Sequence, residues 1–170
     1  MKHLRKLISF AIIFAGITTA ALAQASATAT ATATIVGPIG ITNTANMNFG
    51  NVAVGAVAGT VVLTPAAVRS ATGGVTLPAV TGTVTAGAFN VTGAAAYTYA
   101  ITLPAAATTI TSGANTMTVN TWTSTPSGTG TLSAGGSQAL TVGATLNVGA
   151  SQPAGTYVSG TPFTVTVNYN

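Results

Sequence analysis

The sequence predicts an all-β protein folded as an antiparallel, immunoglobulin-like β-sandwich. Three observations carry that expectation. Apolar residues recur at period two rather than at the helical period, despite much alanine. Glycine and β-branched residues occur throughout, which suits strands and weakens helices. Clusters of Gly, Ser, Asn and Pro punctuate the chain at short intervals, as in sandwiches of ~7 to 9 strands.

The elements follow in chain order. The chain has 170 residues, and residues 1–23 read as an export signal. Lys2, Arg5 and Lys6 form a basic start, Leu7 to Ile17 an apolar stretch, and Ala21-Leu22-Ala23 a small-x-small cleavage site. The mature chain then begins at Gln24; Ala23-Gln24-Ala25 offers an alternative cut. The apolar run is short for a membrane helix, which needs ~20 apolar residues. Later apolar runs are broken by Thr, Gly or Asn, so no membrane span is expected after cleavage.

Residues 24–41 read as an N-terminal extension and residues 42–170 as one sandwich domain. Within the extension, "SATATATATIV" (26–36) alternates Ala and Thr and closes on Ile35-Val36, the pattern of a strand. Gly37-Pro38 then breaks it. Weaker strands are expected at Met47–Val54, with a bulge at Gly50-Asn51, and at Thr60–Thr64, Val75–Val80, Ala88–Thr92 and Thr116–Thr123. In the last, Trp122 lies either across a bulge from Met117 and Val119 or on the opposite face. Three runs alternate strictly: Tyr97 to Leu103, Leu140 to Val148, and Phe163 to Tyr169. "ATGG" (71–74), "TSGAN" (111–115), "TPSGTG" (125–130), "SAGGSQ" (133–138) and "SQPAG" (151–155) read as turns. Without helical crossovers the sheets should be antiparallel.

Charge narrows the function classes. The net charge of +4 comes from Lys2, Arg5, Lys6 and Arg69, with no Asp or Glu anywhere. After export only Arg69 remains. One Arg cannot supply the phosphate track that nucleic acid requires, nor a lipid-binding patch. Catalysis fares no better. General acid–base work needs a group that titrates near working pH, and the only histidine, His3, leaves with the signal. Serines and threonines lack a base to activate them. No catalytic residue, cofactor or metal site is expected, since hard cations want carboxylates. The tyrosines read as core residues. "SGTG" (127–130) lacks the lysine and helix of a phosphate loop. Asn90-Val91-Thr92 is a glycosylation sequon inside a strand pattern. Regular Thr-x-Thr faces would suit ordered water, but they are also what a strand's wet face uses when charge is avoided.

Arg69 has two readings: an anion, glycan or carboxylate contact, or a loop Arg bonding backbone carbonyls; nothing nearby completes a ligand site. The lack of charge bears most on strand edges. Edges are normally protected by Lys, Glu or bulges. A chain without such protection either blocks its edges with loops or has them filled by another chain. With no cysteine, the domain relies on burial alone.

The C-terminal strand Phe163-Val165-Val167-Tyr169, with its penultimate tyrosine, resembles the end of subunits in chaperone–usher pili of Gram-negative bacteria. That resemblance implies capture of this strand by a periplasmic chaperone, and donation of an N-terminal strand to the next subunit. Residues 24–36 stand in the donor's place, with Ala27, Ala29, Ala31, Ala33 and Ile35 on one face. More closely, the chain resembles an uncharacterised family of bacterial exported proteins. The matching residues are Pro38-Ile39-Gly40-Ile41, Met47-Asn48-Phe49-Gly50, Ala71 to Leu77, Gly155-Thr156-Tyr157 and Phe163 to Tyr169. The expectation is a structural, pilin-like surface subunit that self-associates by strand donation, with cell adhesion as its setting. The alternative is a self-contained secreted sandwich that binds glycan or matrix through its loops.

Overall fold

A computed structural model describes residues 23–170 of the chain. The predicted export signal therefore lies outside the described residues, apart from Ala23. Residues 23–34 and residues 35–170 form two separate units. Residues 23–34 carry no strand and are exposed. The strand expected over 26–36 is thus not formed within the single chain. All regular structure of the described residues lies in the second unit. Its first strand begins at Gly40, so the boundary expected at 41/42 would cut through it. Ile39 and Ile41 belong with the domain because both pack against its core.

The described strands are β1 (Gly40–Ala45), β2 (Asn48–Phe49), β3 (Ala53–Leu63), β4 (Arg69–Thr76), β5 (Val84–Thr85), β6 (Gly87–Thr92), β7 (Thr98–Thr102), β8 (Thr108–Ser112), β9 (Asn115–Thr125), β10 (Thr129–Thr131), β11 (Ser137–Val148), β12 (Val158–Ser159) and β13 (Thr166–Tyr169). Every pairing among them is antiparallel. The protein is all-β and sandwich-like, as its sequence predicts.

β11 organises the larger sheet. On one edge its first half pairs with β6 (Leu140 opposite Phe89) and its second half with β3 (Leu146 opposite Val61). Its other edge pairs with β9. β1 extends this sheet beyond β6, β4 lies beyond β3, and β8 and β12 lie beyond β9. Strict alternation fixes which face is buried. Leu140, Val142, Ala144, Leu146 and Val148 are all buried, while Thr141, Thr145 and Asn147 point the other way. The outer face is uncharged. One row across five strands reads Thr72, Thr60, Asn147, Thr118 and Thr109. In it the Thr60 and Thr72 hydroxyls share a 2.8 Å hydrogen bond.

The inner face is covered in two ways. Over its first half lies a three-stranded sheet, β10-β7-β13. Val91, Leu140 and Val142 of the large sheet pack there against Tyr99, Leu132, Val165 and Val167. The Tyr99 hydroxyl, fully buried, donates to Gln138 Oε1 at 2.7 Å. Over the second half the cover is irregular. Val61, Val75, Val119, Leu146 and Val148 meet Met47, Phe49, Val52 and Leu77, which lie in or beside β2 and in the loop after β4.

Several expected elements differ in form. Met47–Val54 is two strands in two sheets, because Gly50 (φ 68°) turns the chain between them. Asn48 Oδ1 accepts from the Gly50 N–H at 2.8 Å to hold that turn. "ATGG" is not a turn but the middle of β4. Gly73 and Gly74 lie against the Val57 and Ala58 carbonyls of β3, where an added Cβ would collide. Trp122 lies across a bulge: Thr121 takes φ 51°, the ladder slips between Gly143 and Thr145, and Trp122 returns to the core side. Tyr97 is 45% exposed rather than core.

Candidate functional site

The irregular half of the inner face leaves an open groove of about 1190 Å3. Its floor is apolar: Ile110, Met117, Val119, Trp122, Leu146 and Val148, from β8, β9 and β11. One wall is the stretch from Asn46 to Val54; the other runs from Gln152 to Ser159 and includes Pro162 and Phe163.

The predicted C-terminal site residues divide at this groove. Val167 and Tyr169 lie in β13, and Val165 is buried just before it, each of the two valines 7% exposed. Phe163 lies at the groove, its ring centroid 4.5 Å from that of Trp122 and 6.3 Å from that of Phe89. The sequence predicts one strand from Phe163 to Tyr169, yet the ladder begins only at Thr166. Phe163, Thr164 and Val165 still alternate half-buried, exposed and buried.

The missing pairing has a sequence cause. β13 pairs with β7 with Thr166 opposite Thr102. Continuing that register brings Val165 to Leu103 and Thr164 to Pro104. Proline has no N–H to donate and fits poorly inside a ladder. β7 ends before it, at Thr102. β13 is also an edge strand, paired with β7 alone. Residues 163–165 therefore have a strand's pattern, no ladder, and an apolar groove beside them.

Four of the polar side chains around the groove bond back onto the protein. Asn43 Nδ2 donates to the Ala45 and Ala88 carbonyls, and Asn51 Nδ2 to the Val80 carbonyl. Gln152 Nε2 donates to the Thr116 carbonyl and the Tyr157 hydroxyl, which itself donates to the Pro153 carbonyl. Arg69 Nη1 donates to the Phe49 and Asn51 carbonyls, so the guanidinium braces the groove's β2 wall. Of the two readings of Arg69, the backbone-bonding one describes its contacts.

The predicted donor residues lie elsewhere. Ala27, Ala29, Ala31 and Ala33 are exposed in the strandless N-terminal unit. Ile35 opens the second unit at 95% exposure. Tyr99 is the group whose titration is displaced: burial raises its pKa above the ordinary tyrosine value. Among the described residues no cluster of His, Cys, Asp or Glu is placed to hold a metal ion. No helix there is long and apolar enough to cross a membrane.

Sequence reasoning missed the groove floor. Met117 and Trp122 are recognisable as apolar strand residues, but only the three-dimensional arrangement shows them half-buried at the groove. Pro104, one residue past the alternating run, is the signal that would have pointed to it.

The fold and groove define a sandwich-like β-domain with an open groove whose floor is apolar and whose rim carries polar side chains. The chain belongs to the DUF4402 family, a domain of unknown function, which matches residues 39–169. No curated protein and no solved structure matches the chain.

Proposed function

We propose that this protein is an exported, non-catalytic structural subunit of a bacterial surface assembly, joined to its neighbours by β-strand donation. Residues 26–36 of one copy enter the groove of the next, beside residues 163–165. The observation that carries this reading is the unpaired, strand-patterned segment Phe163–Val165 flanking an apolar groove. Unpaired backbone and uncovered apolar surface are both unfavourable, and an added strand relieves both at once. The occupant is a second copy because this chain carries an uncharged, period-two segment that forms no strand in the single subunit. The contact is head-to-tail and does not close, so it builds a filament. A periplasmic chaperone holding the C-terminal edge before assembly fits the same geometry.

A saccharide in the groove is the weaker reading. Sugar recognition needs free amide and hydroxyl donors, and those of Asn43, Asn51, Gln152 and Tyr157 are already bonded within the domain. The groove's floor offers apolar surface, and the unpaired segment 163–165 beside it offers main chain; both suit a peptide strand.

Deletion of residues 24–36 tests the proposal. The truncated chain should lose assembly in sedimentation and negative-stain microscopy. It should also bind a synthetic SATATATATIV peptide. A truncated chain that assembles like the full mature chain refutes strand donation.

A further inference from the structure

Tyr169 makes contacts that neither its place in the ladder nor the core requires. Its hydroxyl accepts from the Ala94 N–H at 2.6 Å and donates to the Gly37 carbonyl at 3.1 Å. The ring lies edge-on to Tyr97, centroids 5.6 Å apart. Gly93 leaves the room for this: a Cβ there would collide with the Tyr169 hydroxyl. One oxygen thus joins the last strand, the turn after β6 and the chain just upstream of β1.

Gly37 is the root of the Ala/Thr segment. Downstream, Gly40 begins the ladder with β6. Upstream, Ile35 is 95% exposed, and a Cβ placed on Gly37 itself would meet nothing within 4 Å. We infer that the Tyr169 hydroxyl anchors the root of the donor segment at Gly37 and so positions residues 26–36 for transfer to a neighbouring subunit. This rests on the strand-donation reading above. A fixed root reduces the number of residues that must be ordered when the strand is transferred, which raises the rate and affinity of a tethered contact. Tyr169 acts through Gly37 and does not itself enter the neighbour's groove; it is a positioning residue.

The test uses the mature chain with Tyr169→Phe, and Gly93→Ala as a second variant that displaces the hydroxyl. Tyr169→Phe keeps the ring against Tyr97 and removes both hydrogen bonds. Loss of one such bond corresponds to roughly tenfold in an opening equilibrium. Amide exchange at Ala94 should therefore quicken by about that factor, while exchange at Leu140 and Val142 stays as in the wild type. Assembly followed by light scattering should slow by several-fold in both variants. Unchanged exchange at Ala94 overturns the anchor. So does faster exchange there with assembly at the wild-type rate. A wild-type chain that does not assemble at all overturns strand donation, and the positioning role with it. The wild-type control thus separates failure of that reading from failure of the anchor.

Discussion

Ile35→Ala separates assembly from folding more cleanly than any substitution in the groove. In the single subunit Ile35 is 95% exposed. Removing its three outer carbons should change subunit stability by less than about 0.5 kcal/mol. Strand donation would place the same carbons against the apolar floor of a neighbour's groove. At ~0.8 kcal/mol per buried CH2-sized group, the loss is ~2.4 kcal/mol, or roughly fiftyfold in association constant. Ala27, Ala29, Ala31 and Ala33 each present a single methyl, so Ile35 carries a large share of the side-chain burial available to that face. The assay is the concentration dependence of assembly by analytical ultracentrifugation, with a urea melt of the monomer as control. The expected result is an assembly threshold raised by one to two orders of magnitude with an unchanged urea midpoint. An unchanged threshold would refute the reasoning. So would a lowered midpoint, since it would mean that Ile35 is buried in its own domain.

Three further outcomes follow from the described contacts. Arg69→Met removes the donor shared by the Phe49 and Asn51 carbonyls; bonds from a charged donor contribute ~1.5–3 kcal/mol, so urea denaturation should show a loss of about 2 kcal/mol. Pro104→Val restores an N–H opposite Thr164, letting β7 extend along residues 163–165; the subunit should be no less stable by urea denaturation, and its assembly should weaken. Stability should be nearly flat from about pH 5 to 9, because residues 24–170 contain no Asp, Glu, His or Cys side chain. Above about pH 10 it should fall. Burial raises the folded pKa of Tyr99, so the unfolded chain loses that proton first and alkali favours unfolding. A urea midpoint measured across pH checks this, and a steep loss between pH 5 and 9 would contradict it.

The parts of the fold legible in the sequence are those where a strand has one dry face. Leu140 to Val148 alternates without interruption, and the same alternation appears as burial along β11. Trp122, out of step with Met117 and Val119, marks a real bulge at Thr121. Glycine was harder to read. At Gly50 it turns the chain; at Gly73 and Gly74 it lets two backbones approach closely within a hairpin. Both uses look alike in a sequence, because both exploit the absence of Cβ. The groove was legible only as its flanks. Phe163 to Tyr169 reads as one strand because periodicity reports which residues want burial. It does not report whether a partner backbone is present, and here Pro104 withholds it. For residues 26–36 the alternation is in the sequence, but the single chain forms no ladder there.

Engineered cysteines give the most direct test of strand donation, since the chain contains no cysteine to confuse the pairing. One protein carries Thr164→Cys, on the exposed side of the unpaired segment. Its partners carry single substitutions at successive positions from Thr28 to Thr34, and a control carries Thr118→Cys on the outer face. After mild oxidation of each mixture, strand donation predicts disulfide-linked pairs between subunits that peak at one donor position, fall off at positions two residues away, and are absent at the residues between and with the control. Period two arises because only one face of the donated strand is turned toward Thr164. Cross-linking that is absent, or equal at all donor positions and at Thr118, would contradict the account.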